Sequence, residues 1–106
     1  MLFDGDTSGF ACQACPFQRP TPMWWREDGK MFGPAFAAGL NPAAPGDWLA
    51  SNALFAVAAA TALGADTEQA LAAACAINDV DGRYRRHRVG DHEVRISMVK
   101  NPASWV

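Results

Sequence analysis

Between Pro45-Gly46 and Gly64 runs Asp-Trp-Leu-Ala-Ser-Asn-Ala-Leu-Phe-Ala-Val-Ala-Ala-Ala-Thr-Ala-Leu, a stretch with very little polar surface. Asp47 can cap a helix and Gly64 can stop it, so the pattern predicts a helix over residues 48–63. Leu49, Asn52, Phe55, Ala56 and Ala59 share one face by the i, i+3, i+4 rule. The alanines let neighbouring backbones come close, so this helix is expected to pack on more than one side. In a chain of 106 residues that is demanding. There is room for one small domain, with only about two-thirds of its unfolded surface buriable. The apolar run from Ala53 to Leu63 is also far short of the roughly 20 residues needed to span a bilayer.

The remaining elements are short. A second helix starts at Asp66, with Gln69 as capping-box partner, and runs to about Ile77. Residues 1–22, rich in glycine, proline and acidic residues, read as an irregular or short-strand lobe. Asp28-Gly29 signals a hairpin between Met23-Trp24-Trp25 and Lys30-Met31-Phe32. Residues 33–46, with their prolines and glycines, read as a linker or loop. A second hairpin is expected from 83–89 and 92–99 about Gly90-Asp91. Its Val94, Ile96 and Met98 alternate with polar or small residues and predict a half-buried strand. Two helices and small β elements make an α+β piece, and a poor recipe for a self-contained α/β doubly wound sheet.

A net charge of −2 draws the chain to neither nucleic acid nor an anionic membrane. The acidic start, without a basic or apolar leader, gives no secretory signal and a cytoplasmic expectation. Three cysteines cannot all pair, and Cys12-Gln-Ala-Cys15 in such a chain suggests metal or redox chemistry before a structural disulfide. Structural zinc takes four ligands, and this pair supplies two. Cys75, within the second helix, reads as an ordinary buried thiol. His87 and His92 form no recognisable ligand pair. Arg83, Arg85, Arg86 and Arg88 crowd one strand, either as a solvated basic face or as guanidinium forks for phosphate or ribose. Neither GxxxxGK[ST] nor GxGxxG occurs, so nothing in these residues cradles a triphosphate and its magnesium.

Four signatures follow in a fixed order: Cys12-Gln-Ala-Cys15-Pro-Phe-Gln-Arg19-Pro20, Asn52-Ala53, Gly82-Arg83-Tyr84 and Lys100-Asn101-Pro102-Ala103. Together they resemble the back half of the central ATP-binding domain of the Mur ligase family, and within it the MurT-like subunits of lipid II isoglutaminyl synthase. The resemblance implies a partial zinc-ribbon-like lobe over 1–22 and a partial central domain, α/β in its parent, over 23–106. It implies Zn²⁺ on Cys12 and Cys15 as the second pair of a four-cysteine ribbon. It gives Asn52 to the adenine, Arg83 and Asn101 to the nucleotide, and Lys100 to charge on an acyl-phosphate. Gln13, Pro16, Leu49, Arg85 and Ser104 depart from the family pattern.

The full family enzyme uses ATP and Mg²⁺ to amidate the D-glutamate of lipid II in peptidoglycan synthesis, with ammonia from a GatD-like glutamine amidotransferase. With no phosphate loop in these residues, the expectation is a fragment inactive alone, exposing apolar surface and prone to self-association. The alternative is a non-catalytic interaction module built on the CxxC lobe and the arginine-rich hairpin.

Overall fold

A computed structural model describes residues 2–3 and 9–98, with side chains described for 9–98. Strand β1 (Leu2–Phe3) pairs antiparallel with β2 (Phe10–Ala11). Strands β3 (Trp25–Glu27), β4 (Lys30–Gly33) and β5 (Phe36–Gly39) form an antiparallel meander in that order. Helix α1 (Asp47–Ala62) and helix α2 (Thr67–Ala76) follow, then the hairpin of β6 (Tyr84–Val89) and β7 (His92–Ser97). The described residues form a small mixed α+β structure.

The Asp28-Gly29 turn forms as expected, because both residues take positive φ, 48° and 71°, as a tight two-residue hairpin requires. Across it, Trp25 stacks on Phe32 with ring centres 5.2 Å apart. Residues 33–46 are not the uninterrupted loop their composition suggested. Gly33 pairs with Phe36 around Pro34-Ala35, and β5 continues the register to Lys30 opposite Gly39. The proline and glycine punctuate a turn there. Gly33 is dictated by packing, since a Cβ at this position would lie 2.3 Å from the Trp24 ring.

The start of α1 also differs from expectation. Gly46 is the N-cap, at φ 114°, and no side chain caps the helix. The Asp47 carboxylate instead pairs with Arg26 of β3, whose Nε donates to Ser51 Oγ at 2.9 Å. Helix and meander are thus clamped together at the helix's first turn. Helix α2 starts as predicted, with the Gln69 amide donating to Asp66 Oδ1 at 2.9 Å.

The core is Met31, Leu40, Ala53, Leu54 and Val57, flanked by Trp24, Phe36, Leu71 and the half-buried Cys75. Helix α1 packs on the meander through one side and on α2 through another, as its alanines foretold. The buried arc, however, is Leu49, Ala53, Leu54 and Val57. Asn52, Phe55, Ala56 and Ala59 are exposed, Phe55 by 69%. A helix apolar all round has no sequence asymmetry from which to choose its inner face.

The last strand is likewise not half-buried. Val94, Ile96 and Met98 are 40%, 56% and 46% exposed, and Tyr84 is the hairpin's buried residue among those described. Alternation supplied an apolar face, but no described element packs on it. No helix among the described residues is long and apolar enough to cross a membrane.

Candidate functional site

A second small cluster joins the start of α1 to the start of β6: Ala44, Leu49 and Tyr84 are buried, with Trp48 and Val80 against them. Gly82, at φ 67°, turns the chain into β6. The Arg83 and Tyr84 amides both donate to the Val80 carbonyl at 2.9 Å, and the Val80 amide donates to the Tyr84 carbonyl at 2.8 Å. The Met98 amide donates to the Arg83 carbonyl at 2.8 Å. Gly82-Arg83-Tyr84 therefore has a local physical logic. The glycine makes the turn, the tyrosine anchors it in the core, and the arginine between them is held by its backbone with its side chain exposed. The Arg83 guanidinium lies over the Trp48 indole, 5.9 Å from the ring centre.

Asn52 stands one helical turn beyond Trp48. It borders a concavity of about 230 Å³ walled by Pro42, Leu49, Ala74, Ile77 and Val80. An otherwise apolar pocket with one amide suits a flat heteroaromatic ring, which the amide can read through its donor and its acceptor. Leu49, where the family resemblance would place another asparagine, is only 8% exposed and belongs to the Ala44–Tyr84 cluster. That position is given to packing. Arg83 borders a different concavity, of about 480 Å³, with Tyr84, His87, Ile96 and Met98.

The cysteine lobe is separate. The Cys12 amide donates to the Phe17 carbonyl at 2.7 Å and the Arg19 amide to the Phe10 carbonyl at 2.8 Å, folding residues 10–19 into a tight knuckle. Phe10 and Phe17 pack with ring centres 5.6 Å apart. The Ala14 amide points at Cys12 Sγ, 3.4 Å away. That amide first, and then the Cys15 thiol, donate to the sulfur and hold Cys12 below the ordinary thiol value. The amide facing Cys12 Sγ favours the thiolate of that residue, the form that binds a soft metal. The pair fits half of a zinc site. Among the described residues no three His, Cys, Asp or Glu side chains gather as a metal group.

The arginine-rich strand is less free than its sequence suggests. Arg85 pairs with Asp79 at 3.4 Å and Asp81 at 3.1 Å, and Arg88 Nε donates to the Gly90 carbonyl at 3.3 Å. Arg86 stands directly opposite Arg95, which takes Glu93 at 2.6 Å. Lys100 and Asn101 lie outside the described residues. Sequence reasoning passed over Trp48 and Arg26. For Trp48 the available signal was its place four residues before Asn52. Arg26 lies in the Asp28-Gly29 hairpin, and nothing local announced its partner Asp47. The chain matches no protein-family model, no curated protein and no solved structure.

Proposed function

We propose that these residues belong to an ATP-dependent carbon–nitrogen ligase of the MurT-like kind, which amidates the D-glutamate of lipid II on the cytoplasmic side. In that reading they form the part of its central domain that receives the nucleoside end of ATP. The observation that carries the reading is the Asn52 amide at the border of one small, otherwise apolar pocket. The base end fits: the pocket takes a flat ring, the Asn52 amide reads its edge, and Arg83 offers donors toward ribose or phosphate. For the triphosphate and Mg²⁺ these 106 residues hold no loop, so that chemistry belongs to residues outside them. Zn²⁺ on Cys12 and Cys15, an ammonia-supplying GatD-like partner and a role for Lys100 complete the proposal.

Exposed apolar surface supports a part-domain. Phe55 on α1 and Ile96 on β7 are each more than half exposed, as expected where a parent sheet would cover them. The same hairpin face also favours the second reading, an interaction module with no nucleotide. ADP binding separates the two. The chain should bind ADP weakly, Asn52→Ala and Arg83→Ala should each weaken it, and neither variant should change the melting temperature by more than a few degrees. Without added phosphate-loop residues it should not hydrolyse ATP, even with lipid II and ammonia. ADP binding untouched by both substitutions, or none at all, would leave the interaction-module reading standing.

A further inference from the structure

We infer that the β6–β7 hairpin is a docking surface for a short acidic segment of another polypeptide, one that carries aliphatic side chains between its carboxylates. The inference names a partner for the interaction-module reading above and rests on it. In paired strands, side chains directly opposite one another share a face, and neighbours along a strand alternate. The register therefore puts Arg85 with Ile96, His87 with Val94 and Val89 with His92 on one face, and Arg86 with Arg95 on the other. At the base of the first face, Arg83, Arg85, His87, Ile96 and Met98 border the concavity of about 480 Å³. Val89, Val94, Ile96 and Met98 are all exposed along it.

An exposed aliphatic row rimmed by polar groups marks a contact surface. Its charge says what kind. Residues 83–98 hold five arginines against Asp91 and Glu93. The rest of the chain holds nine carboxylates against Arg19, Arg26, Lys30 and Lys100, so the hairpin is a cationic element in an acidic chain. Arg85 shows the matching chemistry: it takes Asp79 and Asp81, while Val80 between them packs against the Ala44–Leu49–Tyr84 cluster. Arg83 pairs with no carboxylate among the described residues. An acidic segment with aliphatic side chains would satisfy that guanidinium and the aliphatic row together. A phosphodiester backbone would meet the arginines and leave Val94, Ile96 and Met98 wet. A second copy laid face to face would set arginine against arginine.

The test is fluorescence anisotropy of labelled peptides with the full 106-residue chain. A short peptide alternating aspartate or glutamate with valine or isoleucine should bind. Peptides with serine in place of the aliphatic residues, or lysine in place of the acids, should bind about five-fold more weakly or worse. Arg83→Gln should weaken the first peptide about two- to five-fold, the worth of a solvated ion pair. The pair Val94→Thr, Ile96→Thr should weaken it about five-fold. Arg86→Gln removes the same charge from the opposite face and should change it less than either. All four side chains are exposed, so the melting temperature should hold within a few degrees.

Equal losses in Arg83→Gln and Arg86→Gln would mean attraction to the hairpin's charge alone and would overturn the inference. Tighter binding of a labelled single-stranded RNA than of the acidic peptide would overturn the partner and spare the interaction-module reading. So would a dimer, seen by light scattering, that Val94→Thr, Ile96→Thr dissolves and the peptide does not. A hairpin that takes neither peptide, RNA nor a second copy would sink both, and ADP binding, measured separately, would be untouched by that result.

Discussion

Met31 and Val57 are the largest fully buried side chains among the described residues, and Met31 is the larger of the two. It is fully buried, on the central strand of the meander, against Leu40, Ala53, Leu54 and Val57. Met31→Ala deletes three heavy atoms beyond Cβ, at about 0.8 kcal/mol each, or about 2.4 kcal/mol of transfer free energy. The cavity left behind adds to this and brings the cost to about 3–4 kcal/mol, inside the range of about 2–5 kcal/mol known for such truncations. A domain of this size has roughly 5 kcal/mol or somewhat more in hand. Eight buried hydrophobic residues among those described place this one at the low end. Met31→Ala should therefore lose most of its stability, keeping about 1–2 kcal/mol and unfolding at a far lower urea concentration. Urea unfolding followed by tryptophan fluorescence reads it directly, because Trp24 packs on the same cluster. The control is Phe55→Ser, which removes a larger apolar side chain that is 69% exposed and should move stability by no more than about 0.5 kcal/mol. Equal effects from the two substitutions would refute the assignment of the core, and with it the orientation of α1.

Four further outcomes follow from particular contacts. Arg26→Met should cost about 1 kcal/mol, since the pair with Asp47 is largely solvated while the bond to Ser51 is part-buried. A double-mutant cycle with Asp47→Asn should show coupling between the two positions. Glu93 is held below the ordinary carboxylate value by its hydrogen bond to Arg95, and then by the charges of Arg95 and Arg86. Its contribution is therefore present above the unfolded value and lost as pH falls through the lower folded one, a dependence Glu93→Gln should flatten. Any zinc the chain carries should be well under one per molecule and should disappear in Cys12→Ser and Cys15→Ser, as read by elemental analysis. The exposed Val94 and Ile96 should drive self-association at high concentration, and the pair Val94→Thr, Ile96→Thr should reduce it in light scattering.

Local chemistry was legible wherever it was self-contained. Asp66 with Gln69, the Asp28-Gly29 turn and Gly64 behind α1 each need only their immediate neighbours, and each formed where the sequence placed it. What depended on a distant partner was not legible. Asp47 has every property of a cap, yet Arg26 from another element takes its carboxylate. Phe36 to Gly39 read as loop because strand propensity there is weak, and pairing with Lys30 to Gly33 supplies what propensity does not. Asn52 and Arg83 could be named from the sequence, but the Trp48 ring beneath the Arg83 guanidinium could not. A tryptophan in a first helical turn looks like any other amphipathic residue until the glycine before it and the arginine above it are seen together.

Arg86 facing Arg95 in the middle of the last hairpin has a consequence for colloidal behaviour. Copies pairing edge to edge in register would set their strands about 4.8 Å apart, and each added hairpin would bring another pair of guanidiniums into the row. At low ionic strength, with a screening length of about 10 Å at 0.1 M, that row repels itself and blocks ordered growth. Near 1 M, where the length shrinks to about 3 Å, the repulsion fades while the aliphatic side chains on the opposite face keep their attraction. Salt should therefore act on this hairpin in the opposite sense to its action on ion pairs: it would relieve one guard against fibrous assembly.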